Sequence, residues 1–265
     1  MYPRLFQFGH VAIPTYGVFA AIALVAALVL ASDTARRLNL DPNKIWNLSL
    51  LGIFTALLGS RLLLALFHLQ DFLAHPFWIL GLVTIRSHGV FYGGVLMAAL
   101  VCLVYMLSAG LPILRTLDCV VPAAALFLAI HSLGAFLAGS DYGVSTIKPW
   151  GVIYRHRLAT LWSGTPIGVR LHPVQIYEAL FLSLLFVFLL VWLPRRRQDG
   201  DLAGGFFFVY GVMLFFLDFY RGDRTFLFGG AISSAQLLAT GLILVGGALW
   251  LGRKPTLASP ASMQI

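Results

Sequence analysis

The chain has 265 residues and a formal net charge of +8, yet only 11% of its residues are charged and 60% are hydrophobic, against roughly 25% charged in an ordinary soluble domain. With a mean hydropathy of +0.89, this excludes a soluble globular protein and implies an integral membrane protein. The basic residues fall in short clusters between apolar runs, as in ARRLNL and PRRRQDGD, a pattern that suits anionic lipid headgroups rather than nucleic acid.

Each span needs about 20 apolar residues to cross about 30 Å of hydrocarbon. The length therefore accommodates about seven helices with short loops, an all-α multipass fold forming one membrane domain over residues 1–265. The first apolar run, PTYGVFAAIALVAALVLASD from Pro14, is longer than the core of a cleaved signal and has Arg4 as its preceding positive charge. It reads as an uncleaved start-transfer segment. Charge and Pro/Gly punctuation place helices near 14–31, 46–67, 89–108, 119–138, 174–193, 203–220 and 231–251.

The connections after the first, third and fifth spans, with the tail, carry Arg36, Arg37, Lys44, Arg115, Arg195, Arg196, Arg197, Arg253 and Lys254. The positive-inside rule places them in the cytoplasm. Arg86, Lys148, Arg155, Arg157, Arg170, Arg221 and Arg224 then fall on the outer side, against the usual bias. Phosphate binding is one reason to keep arginine there. Arg86 and Arg221 sit hard against spans and fit that reading, whereas Lys148, Arg155 and Arg157 fit it no better than they fit simple outer-loop charges. The outward segment 139–172 includes KPWGVIYRHRLATLW, with the Trp and Tyr content of an interfacial stretch. Cys102 and Cys119 stand in or beside apolar runs without a CxxC or a histidine cluster, so no disulfide, metal site or cofactor is indicated.

An ionisable group inside a span costs at least about 2.5–3.5 kcal/mol and is a functional candidate by default. Arg61, His131, Glu178 and Asp218 qualify. Arg61 reads as structural, snorkelling or holding an acid. Asp218 and Arg221, three apart on one helical face, can pair with each other. Gln175 and Glu178 share a face of the fifth span and carry a polar stripe into it from the outer side. Gly93, Gly94, Gly134 and Gly139 permit close approach of helices or lipid. HSLGAFLAGSDYG, residues 131–143, reads as the fourth span reaching the outer headgroup layer.

Taken in order, these motifs resemble the prolipoprotein diacylglyceryl transferase family over nearly the whole chain. The resemblance is carried by Tyr16–Gly17, LLGSRLLLALF, GVFYGG at 89–94, GAFLAGSDYG at 134–143, HPVQIYEAL from His172, YGVMLFFLDFYRGD from Tyr210 and ISSAQLLATG around Gln236. It departs from the family pattern at Ser132 and Ala135, which stand where the signature has arginine and asparagine. Tyr92 precedes the glycine pair in place of histidine, Leu214 replaces an arginine, and Asp218 replaces a glutamate.

The resemblance implies a multipass enzyme of the bacterial cytoplasmic (inner) membrane with its site toward the outer face. Its donor would be phosphatidylglycerol and its acceptor the lipobox cysteine thiol of a prolipoprotein. It implies His172, Tyr16, Tyr92, Tyr210, Glu178 and Asp218 as catalytic candidates, and Ser132, Gly143, Arg221, Arg86, Asp141 and Tyr142 as lipid-binding candidates. His172, His131 or Tyr92 supplies the base or its relay. Arg221, Arg86 and Arg61 are the cations available in place of the replaced arginines. The departures leave open a second reading, a family relative that binds phospholipid without catalysis or uses a different acceptor.

Overall fold

The computed structural model describes residues 2–8, 11–67, 69–74, 88–227 and 230–252. Arg86 and the side chain of Tyr92 lie outside the described part. A hairpin of β1 (Arg4–Phe8) and β2 (Val11–Pro14) leads into α1 (Thr15–Arg37), α2 (Pro42–Phe67), the short α3 (Leu69–Ala74), α4 (His88–Ser108) and α5 (Ile113–Ala138). β3 (Val152–Ile153), α6 (Arg157–Ser163) and β4 (Arg170–Leu171) form the long connection to α7 (Val174–Trp192). A 3-10 turn at Leu193–Arg195 then precedes α8 (Asp201–Asp218). The pair β5 (Phe226–Leu227) and β6 (Ile232–Ser233) precedes α9 (Ser234–Leu251).

Among the described residues six helices are long and apolar enough to cross a membrane, and α4 adds a shorter apolar stretch at Gly93–Ser108. The fold is an all-α multipass membrane protein. Leu184 at 72% exposure and Leu244 at 66% stand on faces that water would not tolerate and that hydrocarbon solvates. The expected spans are all present, but α1 continues to Arg37, and α5 begins six residues before its apolar run. Hydropathy marks the stretch within hydrocarbon, while the backbone hydrogen-bond ladder continues into the headgroup layer.

α1 packs on α5, α2 on α4, α5 on α7 and α8 on α9. The α2–α4 crossing is a backbone contact. A Cβ at Gly94 would lie 2.5 Å from the Ala56 carbonyl oxygen and 2.7 Å from the Ser60 nitrogen, so only glycine allows this approach. The apolar core, including Ala31, Ile45, Cys119, Leu189 and Leu202, gathers at the end of the bundle that carries the short α1–α2, α4–α5 and α7–α8 connections. The opposite end is left to the long loops and to polar residues.

The core end is fixed by one buried acid. Gly200, the N-cap of α8, has φ +95° and no side chain to offer. Asp118 of α5, fully buried, supplies the missing acceptor: its carboxylate takes hydrogen bonds from Gly200 N (2.8 Å) and Ala203 N (2.9 Å) and pairs with Arg196 at 3.3 Å. A carboxylate at a helix N-terminus also meets the positive end of the helix dipole. Asp118→Ala should therefore destabilise the fold by on the order of 2–4 kcal/mol, since it removes the cap and leaves Arg196 without this partner. A drop in the thermal unfolding midpoint in detergent, larger than that of Arg37→Ala at the exposed Asp33 pair, is the expected observation.

Candidate active site at the loop end of the bundle

The loop end is held by a strip of chain that follows α5. Gly139 ends that helix in the left-handed conformation (φ +80°). The strip 142–145 then threads between two others: Val144 N donates to Tyr220 O (2.8 Å), His172 N to Val144 O (2.9 Å) and Gly222 N to Tyr142 O (2.8 Å). Gly143 bridges to Arg221, and a Cβ there would collide with the His172 carbonyl oxygen and come within 3.0 Å of that of Tyr220. The glycine in this motif is therefore a steric requirement of three strips meeting.

Arg221 lies just beyond α8, with its side chain only 11% exposed. Its guanidinium donates to both Asp223 carboxylate oxygens at 3.0 Å and to Asp141 at 3.3 Å. Burial alone would lower its pKa, but Asp141 and Asp223 hold it well above the ordinary arginine value. The expected Asp218–Arg221 pair does not form. α8 ends at Asp218, so the chain turns away and carries Arg221 off the helical face. Asp218, 1% exposed, instead accepts from Arg224 Nε at 2.8 Å and from Ser233 Oγ at 2.7 Å. Ser233 in turn caps α9 in a capping box with Gln236, so Asp218 ties the end of α8 to the start of α9.

Glu178 of α7 faces this cluster, with Arg221 and Asp141 as charged neighbours, the His131 imidazole nearby and the Ser132 hydroxyl within hydrogen-bonding reach. Ser132, 2% exposed, also donates to Leu128 O at 2.9 Å. His131 Nε2 meets the Tyr16 hydroxyl at 2.7 Å. The structure thus brings together Tyr16, Ser132, Asp141, Gly143, Glu178 and Arg221 of the predicted set, with His131 beside them. Tyr210 stacks on Phe206 with centroids 5.4 Å apart, two turns or about 12 Å along α8 from Asp218. Arg61 is half-buried on α2. Leu214, where the family pattern has arginine, is 3% exposed.

His172 belongs to a second group on the other side of the Gly143 strip. Trp150 Nε1 donates to the Tyr177 hydroxyl at 2.8 Å, and that oxygen lies 3.2 Å from His172 Nδ1. Indole N–H can only donate. The phenol oxygen therefore accepts from Trp150 and links the indole to the His172 imidazole. The His172 ring also meets Tyr220 edge-on at 5.3 Å. This group caps a groove of about 840 Å³ between α7 and α8, walled by Phe181, Phe208 and Phe216, with Lys148, His172 and Tyr177 at its loop end. The volume lies within the usual range of about 300–1,000 Å³ for small-molecule sites.

Sequence reasoning missed Tyr154, Trp150 and Asp223. Tyr154 is 1% exposed and accepts from Gln175 Nε2 at 3.1 Å, while the same amide nitrogen donates to Ser140 O at 2.5 Å. Burial pushes the Tyr154 hydroxyl up to about 12. It pushes the Tyr142 hydroxyl up as well, helped by the negative charge of Asp223. A Trp, a Tyr and an acid in a polar loop carry no periodic signal. Only their spatial neighbours distinguish them from interfacial residues.

Bundle, groove and polar cluster together define an integral membrane protein with a charged, water-poor centre at one end and an apolar lateral cleft beside it. A family model described as "Prolipoprotein diacylglyceryl transferase" matches residues 3–252, and the chain belongs to that family. It is similar to the phosphatidylglycerol--prolipoprotein diacylglyceryl transferase of Clostridium tetani, 29% identical over 93% of this chain and 95% of that protein. It is also similar to those of Synechococcus elongatus, 31% identical over 94% and 87%, and Geobacter sulfurreducens, 30% identical over 92% of each.

Gly143→Ala should cost about 1–3 kcal/mol of stability by overpacking. Val144→Ala, at a position 37% exposed, should leave stability within about 1 kcal/mol. Parallel thermal melts in detergent compare the two, and equal melts would show that the three-strip junction tolerates a methyl group.

Proposed function

We propose that this protein transfers a diacylglyceryl group from phosphatidylglycerol to the lipobox cysteine thiol of prolipoproteins, releasing glycerol phosphate. It does so in the bacterial cytoplasmic membrane with its site toward the outer face, and one transmembrane domain spanning residues 1–265 carries the activity. The names of the relatives support the donor and the acceptor class. The observation that carries the reading for this chain is Arg221, an oriented guanidinium at the loop end of the bundle beside an apolar groove.

The reaction is a substitution at the glyceryl carbon that bears the phosphate ester. The thiol loses its proton, sulfur bonds to that carbon, and the carbon–oxygen bond breaks with its electron pair going to the phosphate. The leaving group gains negative charge as the bond breaks, so preorganised donors aimed at it lower the barrier. In our assignment Arg221 and the His172 imidazole are those donors, with Asp141 and Asp223 fixing the guanidinium. The groove takes acyl chain, and Ser132, Gly143 and Tyr142 shape the wall near the headgroup. Tyr210 and Asp218 keep their candidate catalytic roles, and Asp218 also ties the end of α8 to the start of α9. Arg86 and Tyr92 keep their candidate roles, headgroup contact and base or relay. No nucleic acid, metal or cofactor enters the scheme.

The test is glycerol phosphate release by the purified protein in detergent, given phosphatidylglycerol and a synthetic lipobox peptide, with a Cys→Ser peptide as control. Release should require the cysteine. Arg221→Gln should lower it by about 10- to 100-fold, the equivalent of one charge-assisted contact of about 1.5–3 kcal/mol. Release independent of the peptide cysteine would contradict the proposed acceptor.

A further inference from the structure

The Tyr16–His131 pair has the features of a proton relay rather than a structural clasp. The two residues are 115 positions apart and come from α1 and α5. Their rings stand nearly perpendicular, at 79° with centroids 5.2 Å apart, while His131 stacks at 29° on Phe127. The imidazole is thereby fixed in one orientation with Nε2 on the phenol oxygen. Tyr16 nevertheless keeps 40% of its surface exposed, whereas its neighbour Thr15 keeps 1%. On the α7 side, Glu178 lies within electrostatic range of His131, so a carboxylate is in place to balance an imidazolium. The further groups facing this centre are Arg221 and Asp141, both of which also act on Glu178.

We propose that Tyr16 and His131 together take the proton from the acceptor thiol, Tyr16 meeting the sulfur and His131 holding the proton beside Glu178. This assignment rests on the transferase reading. The Tyr16 O–H proton passes to His131 Nε2 as the phenol oxygen receives the proton of the S–H group. The thiolate forms the sulfur–carbon bond, and the ester carbon–oxygen bond breaks toward the phosphate. The proton then returns from His131 through Tyr16 to the departing glycerol phosphate, which restores both side chains. A thiol of pKa about 8.5 is mostly protonated at neutral pH, so this help matters there and fades once the solution itself deprotonates the thiol.

The experiment is cysteine-dependent glycerol phosphate release by the full-length protein in detergent, with phosphatidylglycerol and a lipobox peptide, followed from neutral to alkaline pH. It compares wild type, His131→Gln and Tyr16→Phe. Near neutrality His131→Gln should lose about 100-fold or more, as expected for a general base. The deficit should shrink by about tenfold as the pH passes that of the free thiol, about 8.5. Tyr16→Phe should show the same convergence, and it carries the test if His131→Gln elutes as aggregate. Variant activity within about threefold of wild type, or a loss of equal size at every pH, overturns the assignment while leaving the transferase reading intact. A wild-type protein without cysteine-dependent release overturns both.

Discussion

A guanidinium in a water-poor setting must be paired and hydrogen-bonded, and the loop end of this bundle is arranged around that constraint. Asp223 is supplied by the turn that carries Arg221 itself, while Asp141 comes from the strip after α5 and adopts φ +53°. Asp is among the few residues with a side chain that tolerate that conformation. For Asp141 to reach, the strip must pass between the segments of His172 and Tyr220, which fixes Gly143 as glycine. One buried charge thus accounts for an acid of unusual backbone geometry, a glycine and the order of three loop segments. The same junction separates the Arg221–Glu178–His131 group from the His172–Tyr177–Trp150 group, so two polar centres with different chemistry sit on either side of one strip of chain.

The far end of the molecule solves a comparable problem by different means. There Asp118 replaces the side chain that Gly200 lacks and caps α8 from a neighbouring helix. Both ends of α8 are therefore held by acids, Asp118 at the start and Asp218 at the finish, each bound to an arginine and to a group at a helix N-terminus. With its ends pinned, α8 presents Phe208 and Phe216 to the groove as a fixed wall. The polar residues that look functional from their depth in the sequence divide accordingly: some set the helices in place, and others face the centre that the helices enclose.

The fold was legible because 20-residue apolar runs have few alternatives in a chain of this composition. All seven spans were recognised, with errors confined to their ends, where the helix outlasts the hydrocarbon. Membrane-depth polarity singled out Arg61, His131, Glu178 and Asp218 as functional candidates, and the structure gives the last three polar neighbours. Depth alone did not reveal who the partners are. The three-residue spacing of Asp218 and Arg221 suggested a helical pair, but spacing carries meaning only while the helix continues, and α8 stops at Asp218. Trp150, Tyr154 and Asp223 were invisible for the complementary reason: their roles come from contacts across 27, 21 and only 2 residues, with no common period to expose them.

The replaced arginines can be placed in the same physical terms. At Ser132 and Leu214 the positions are 2% and 3% exposed and are filled by side chains without charge. Glu178, facing that region, has the Arg221 guanidinium and the His131 imidazole as neighbours. Asp141, Asp223 and Glu178 surround one guanidinium there, so an anion brought to it is opposed by like charges. Asp223 pairs with Arg221 at 3.0 Å and Asp141 at 3.3 Å. The uncharged side chains at Ser132 and Leu214 add no cation, so the positive charge of this region rests on a guanidinium that two acids hold in place.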